Sequence, residues 1–215
     1  MKDQLHINFE EELPEGYRAA YEIDAEKFKT QLLINLAALG LAAVAAAAVL
    51  PGLHPIRTFA DYLSSGSGFG PVIRWLLIFL TVSLAYVVLH ELTHGLAYKL
   101  LTGRKLSFGI SGSVAYCGVR GIKVYRKAAM ISLVAPFAVF NIVFLTGVLL
   151  PLSPAVRLFF AIMFIVHFSG CVGDLYDLML YLFKYRDPRT LMEDTGPKQI
   201  FYVPEEREKE TQNEN

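Results

Sequence analysis

Residues 71–101 read PVIRWLLIFLTVSLAYVVLHELTHGLAYKLL. From Trp75 to Leu89 the stretch carries no charge and is almost wholly apolar; Thr102-Gly103 follows its end. A run of about 20 apolar residues is long enough to cross a hydrocarbon core, so a membrane-spanning helix is predicted over 72–101. Its second half contains His90-Glu91-Leu92-Thr93-His94. Positions i and i+4 share one helix face, so His90 and His94 can aim imidazole nitrogens at one point. Glu91 lies beside that face. Two neutral imidazoles with an adjacent carboxylate suit a catalytic zinc (Zn2+) ion. The rings serve as ligands, a position stays open for water, and the carboxylate takes the water's proton. A charged group at the bilayer centre costs roughly 2.5–3.5 kcal/mol on insertion scales. A metal ion in a polar cavity offsets that cost; the blander alternative is a helix end hydrated at headgroup level.

Composition agrees with a membrane setting. Of 215 residues 54% are hydrophobic, and mean hydropathy is +0.41, high for a soluble chain. Twenty basic residues balance twenty acidic ones, so no basic excess points to nucleic acid. Cys117 and Cys171 are far apart and form no C-x-x-C, which predicts two reduced thiols rather than a disulfide framework. Met1 to Thr30 is polar and acidic, with no apolar core of a cleavable signal.

The fold class these features predict is an all-α polytopic membrane protein. It has four transmembrane helices, about 32–53, 72–101, 128–150 and 156–183, within a membrane domain over 31–183. Residues 1–30 form a cytosolic lead-in with a short helix over Asp24 to Lys29. Residues 54–70, with Ser64-Ser65-Gly66-Ser67-Gly68, read as a flexible loop. Between helices two and three, residues 104–127 alternate apolar with polar or small residues and are punctuated by glycines. One or two β-hairpins, or a strand-like loop, are expected there. Residues 184–215 form a cytosolic tail, disordered from Glu205. Arg104, Lys105, Arg120, Lys123, Arg126 and Lys127 crowd the second loop, whereas the loops on either side hold few bases. The positive-inside rule then puts both termini in the cytosol of a multi-pass cell-membrane protein.

A catalytic zinc site takes three protein ligands. Between Glu91 and Asp187 the only acids are Asp174 and Asp177. His6 lies in the lead-in and His54 across the membrane. The fourth span therefore supplies the third ligand from His167, Cys171, Asp174 or Asp177. Depth favours Asp174: residues 170–178 share the level of the motif, while His167 falls about 10 Å further out at the helical rise. Asp177 reads as an interfacial carboxylate, hydrated or paired with a base. His167 reads as a helix-packing hydrogen bond, with a polar role towards substrate as the alternative.

Four segments carry a resemblance: His90-Glu91-Leu92-Thr93-His94-Gly95, Ala128 to Pro136, Gly170-Cys171-Val172-Gly173-Asp174, and Glu193-Asp194-Thr195-Gly196-Pro197. Together they span most of 75–200. The order resembles that of the site-2 protease class of intramembrane zinc proteases. More narrowly it resembles the small bacterial "putative zincin peptidase" membrane proteins. The resemblance implies His90, His94 and Asp174 as zinc ligands and Glu91 as general base. Site-2 proteases usually set the aspartate in Leu-Asp-Gly, where this chain has Gly173-Asp174-Leu175, and Asn141 falls two positions late for their Gly-Pro-x-x-Asn.

The leading expectation is a zinc endopeptidase cleaving a membrane-spanning or membrane-proximal peptide within the lipid bilayer. Residues 104–127 would grip an extended substrate by strand addition. A non-proteolytic scaffold, metal-binding regulator or transporter is the alternative; transport favours polar groups strung along a path, whereas this chain has one compact cluster. A zinc hydrolase acting on lipid is the third reading.

Overall fold

A computed structural model describes residues 8–66, 68–105, 107–111, 114–118, 121–195 and 198–205. The disorder expected towards the C-terminus falls on 206–215, outside the described residues, as does His6.

Helix α1 is Phe28–Val49, α2 Pro55–Leu63, α3 Gly70–Thr102, α4 Arg126–Leu149, α5 Pro154–Gly170 and α6 Val172–Met179, which continues as a π-helical turn over Leu180–Lys184. Local chemistry sets these ends. Pro71 and Pro154 occupy the first turns of their helices, where a missing N–H costs nothing. Gly103 closes α3 with φ 70°, its N–H bonded to the Lys99 carbonyl at 2.8 Å, a left-handed turn that favours glycine.

Helices α1, α3 and α4 are long and apolar enough to cross a membrane, and α5 with α6 forms one further such pair, bent by 43°. Leu33, Leu39, Leu80, Leu84 and Ile142 lie largely exposed along these helices. Helices apolar on every side are stable facing lipid, which supports association with a membrane. The expected fourth span is thus two helices broken at Cys171. Inside the bundle, Ala45, Tyr86, Phe140, Phe144, Met163 and Phe164 pack together. At Gly147 of α4 an added Cβ would stand 2.2 Å from the Phe160 ring of α5, so the two helices approach more closely there than any other residue permits.

The all-α expectation is corrected by a five-stranded antiparallel sheet. Strands β1 (Phe9–Glu10) and β2 (Tyr17–Asp24) come from the lead-in, β5 (Lys123–Tyr125) from the loop before α4, and β6 (Leu191–Asp194) and β7 (Lys198–Pro204) from the tail. Their order is β1-β5-β6-β7-β2. One cross-strand row runs Phe9, Val124, Met192, Phe201, Tyr21. Its first four members are buried. Phe9 and Val124 pack on Tyr98 and Ala128, and Met192 and Phe201 on Ala129, Leu133, Tyr181 and Tyr185. The sheet therefore caps the end of the bundle where α3 finishes and α4 begins. Arg126 fastens this cap, donating to the Tyr181 carbonyl at 3.1 and 3.3 Å.

The hairpin expected within 104–127 is present as β3 (Ser107–Ser111) paired with β4 (Val114–Gly118), β4 lying along α3. Two local readings are corrected. Asp24 to Lys29 holds a turn, in which the Asp24 carboxylate accepts from the Glu26 N–H at 3.0 Å, before α1 starts at Phe28. The loop over 54–70 contains α2, its Phe59 ring edge-on to Trp75.

Candidate metal centre

A stripe at four-residue spacing on α3 builds the centre: Tyr86, His90, His94 and Tyr98 are all buried. Opposite it stand Ser132 and Pro136 of α4, His167 and Cys171 at the end of α5, and Asp174 of α6. The bend at Cys171 turns Asp174 towards α3. Its Oδ2 lies 3.3 Å from His90 Nε2 and its Oδ1 3.2 Å from His94 Nε2. The three side chains form a group with ligand atoms within 4.8 Å of one another.

Proline chemistry fixes one ring. Pro136 has no N–H, so the carbonyl four residues earlier, that of Ser132, loses its helical partner. His94 Nδ1 lies 3.0 Å from that oxygen. A carbonyl only accepts, so Nδ1 carries the proton and donates. In a neutral ring Nε2 then bears a lone pair, and this lone pair faces a carboxylate oxygen. Such a contact is repulsive unless a cation stands between the two atoms, a metal ion or a second proton. Ligands at 2.0–2.1 Å from a tetrahedral zinc stand about 3.3 Å apart, which the two nitrogen–oxygen separations match. Two imidazoles and one carboxylate are also a donor set that zinc takes at catalytic sites. The residues fit the ion.

Ser132 ties the same joint from the other side. Its hydroxyl donates to the His94 carbonyl at 3.2 Å and hydrogen-bonds Tyr98. Glu91 is half-buried on α3, next to His90. Asn141 donates its amide to the Phe137 carbonyl of its own helix at 2.6 Å.

Two placements differ from the sequence reading. Asp177, expected to be hydrated or paired with a base, is 1% exposed. Neither of its oxygens has a hydrogen-bond partner among the described residues. The sheet that packs on Tyr181, one turn further on, closes the end of the span that reads as open to water. His167, expected well above the site, is fully buried beside it: its ring centroid lies 6.1 Å from that of His90. Its packing hydrogen bond is present, 2.9 Å from the Tyr86 hydroxyl. His90, His167 and Cys171 form a second group of possible ligands. Sequence reasoning missed Tyr86 and Ser132, although each had a signal. Tyr86 precedes His90 by four residues, and Ser132 precedes a mid-span proline by four.

Residues 83–188 match the model of a family described as "Putative zincin peptidase". The match supports that family for this chain. It encloses His90, Glu91, His94 and Asp174, and the family points to a zinc metallopeptidase. No curated protein and no solved structure matches the chain.

Proposed function

We propose that the chain is a zinc-dependent endopeptidase acting on a peptide within or next to the membrane, with His90, His94 and Asp174 holding the ion. The observation that carries this reading is the His94–Asp174 contact, where a ring locked by the Ser132 carbonyl turns its free nitrogen to a carboxylate. Bound there, zinc would supply Lewis acidity to a carbonyl and to water. Glu91 takes a proton from the water that adds to the scissile carbonyl, then delivers it to the departing amine as the carbon–nitrogen bond breaks. The buried stripe of α3 and the aromatic wall of Phe140 and Phe144 keep bulk water from the rings. The β3–β4 hairpin alongside α3 offers extended backbone to a substrate strand.

In this reading the helices make four crossings with both termini cytosolic, and the sheet supports it. Strands from the lead-in, from the loop before α4 and from the tail pair with one another, so these three segments share one side of the membrane. An even number of crossings must separate them: α1 and α3 first, then α4 and the bent α5–α6 pair. The bases of the 104–127 loop make that side cytosolic.

The test is metal content and cleavage of a reconstituted membrane peptide. Wild-type protein purified without chelator should hold about one zinc per chain, His90→Ala none, and Glu91→Gln should hold zinc without cleaving. Zinc-free wild type would sink the proposal. Full zinc occupancy without cleavage of any such peptide would favour a metal-binding regulator.

A further inference from the structure

The second group of possible ligands shares His90 with the first, and its geometry defines a different task. Tyr86 lies one helical turn before His90. Its hydroxyl is 3.2 Å from His90 Nδ1 and 2.9 Å from His167 Nδ1. His167 also hydrogen-bonds the backbone of Phe137, and the Cys171 sulfur packs 3.6 Å from its Nδ1. Tyr86, His167 and Cys171 are buried. Phe137, Phe140 and Phe144 surround the His167 ring at centroid distances of 6.0, 5.8 and 5.8 Å.

We propose that Tyr86 and His167 are positioning residues that hold His90 with Nε2 aimed at the ion, and that His90, His167 and Cys171 do not hold a second one. The inference rests on the zinc reading above. One hydroxyl has one proton and two lone pairs, so it can donate to at most one of its two imidazole partners. If His90 offers Nε2 as a ligand, its Nδ1 carries the proton and donates to the Tyr86 oxygen. Tyr86 then donates to His167 Nδ1, and His167 keeps its own proton on Nε2. Every atom is satisfied in that one direction with three neutral groups, which suits an apolar enclosure. An ion held by the second group would need nitrogens at 2.0–2.1 Å and sulfur near 2.3 Å. The Tyr86 hydroxyl already lies at hydrogen-bond distance from the Nδ1 atoms of both histidines and occupies the space between them. The two motif histidines are thus oriented by different means, His94 by a carbonyl that a proline frees and His90 by a tyrosine that a buried histidine holds.

The experiment uses the full chain in detergent, titrated with zinc against a competing chelator and loaded separately with cobalt for absorption spectroscopy. Tyr86→Phe and His167→Leu should each weaken zinc binding about 10–100-fold, as lost supports of metal-bound histidines do, and should change the cobalt ligand-field bands. His167→Asn, whose Oδ1 can stand where Nδ1 accepts, should stay within about threefold of wild type, well under the 10–100-fold of a lost support. Metal-free melting temperatures should stay close to wild type in Tyr86→Phe and His167→Asn. Wild-type cobalt protein should lack a thiolate charge-transfer band. Unchanged zinc affinity in both Tyr86→Phe and His167→Leu would overturn the positioning role while leaving the zinc reading standing. An affinity loss that merely tracks a lower metal-free melting temperature would overturn it too. A thiolate band abolished by Cys171→Ser would place the ion in the second group. Zinc-free wild type would overturn the underlying reading and this inference with it.

Discussion

Asp174 and Asp177 lie three residues apart on one short helix, and both are drawn away from water, yet their neighbours treat them oppositely. Asp174 meets two imidazole nitrogens at 3.2 and 3.3 Å. Asp177 meets no hydrogen-bond donor among the described residues. Depth along a straight span ranks the pair with Asp177 nearer the water. The bend at Cys171 and the sheet over Tyr181 replace that ranking with another: a carboxylate's role follows from which helix stripe it faces. Asp174 faces the α3 stripe, where histidines recur every fourth residue. Asp177 lies one turn before the aromatic layer of Tyr181 and Tyr185 that the sheet packs upon.

The largest effect should come from the third carboxylate, the one that neither holds the ion nor lies idle. Glu91→Gln should lower kcat by about 10²–10⁴-fold, the worth of a general base, with zinc content unchanged. Metal analysis and cleavage rate on the same preparation check this. Zinc loss in Glu91→Gln would mean that the ligand set extends beyond the Asp174 side of the comparison.

Asp174→Asn comes next. Zinc affinity should fall at least tenfold, since a lost ligand weighs as much as or more than a lost supporting contact. Calorimetric titration of zinc into the stripped protein measures it. An unchanged affinity would place the third ligand elsewhere and make the two aspartates equivalent.

How much of this was legible in the sequence depends on the range of the forces involved. Helices α1, α3 and α4 run over Phe28–Val49, Gly70–Thr102 and Arg126–Leu149, ends that are set locally by hydropathy, Pro71, Gly103 and Pro151. The structure brings His90, His94 and Asp174 together, the two histidines because the motif's spacing is helical. The β3–β4 hairpin followed from alternation. The other sheet did not. Strands of two, three and four residues such as β1, β5 and β6 carry too little pattern to be read alone. They exist because partners elsewhere in the chain complete them: β1 and β5 pair across more than a hundred residues, β5 and β6 across more than sixty. The bend at Cys171 was hidden in the hydropathy, although Ser169-Gly170 just before it is the kind of pair at which helices kink. His167 and Asp177 were misplaced for that reason.

Pro136→Ala tests the Asp174 side more finely. The substitution restores a backbone N–H that competes with His94 for the Ser132 carbonyl. The helix itself gains, since an interior proline costs about 3 kcal/mol. The expected result is zinc affinity lower by about threefold to tenfold, at or below the low end of supporting-contact losses, with no loss of thermal stability. Unchanged affinity would mean that the Ser132 carbonyl can serve both donors, and that His94 is held by Asp174 alone.

The smallest metal effect belongs to Asp177, and here the comparison is most exposed. Asp177→Asn should leave zinc affinity within about threefold, below the tenfold that marks a lost supporting contact. Stability tells more than binding. A buried polar group without a partner costs about 1–3 kcal/mol, and asparagine keeps an unpartnered amide where leucine, with the same branching of heavy atoms, keeps none. Asp177→Leu should therefore melt at a higher temperature than wild type, with Asp177→Asn between the two. The sheet-facing layer of Tyr181, Tyr185, Met192 and Phe201 is already apolar enough to receive the leucine. If Asp177→Leu instead melts lower and loses zinc, this carboxylate has a working partner, an ion or a proton path shared with Asp174, and the two aspartates act as one unit. If Asp177→Leu melts higher with zinc intact, three residues on one helix separate a ligand from a carboxylate that metal binding does not use.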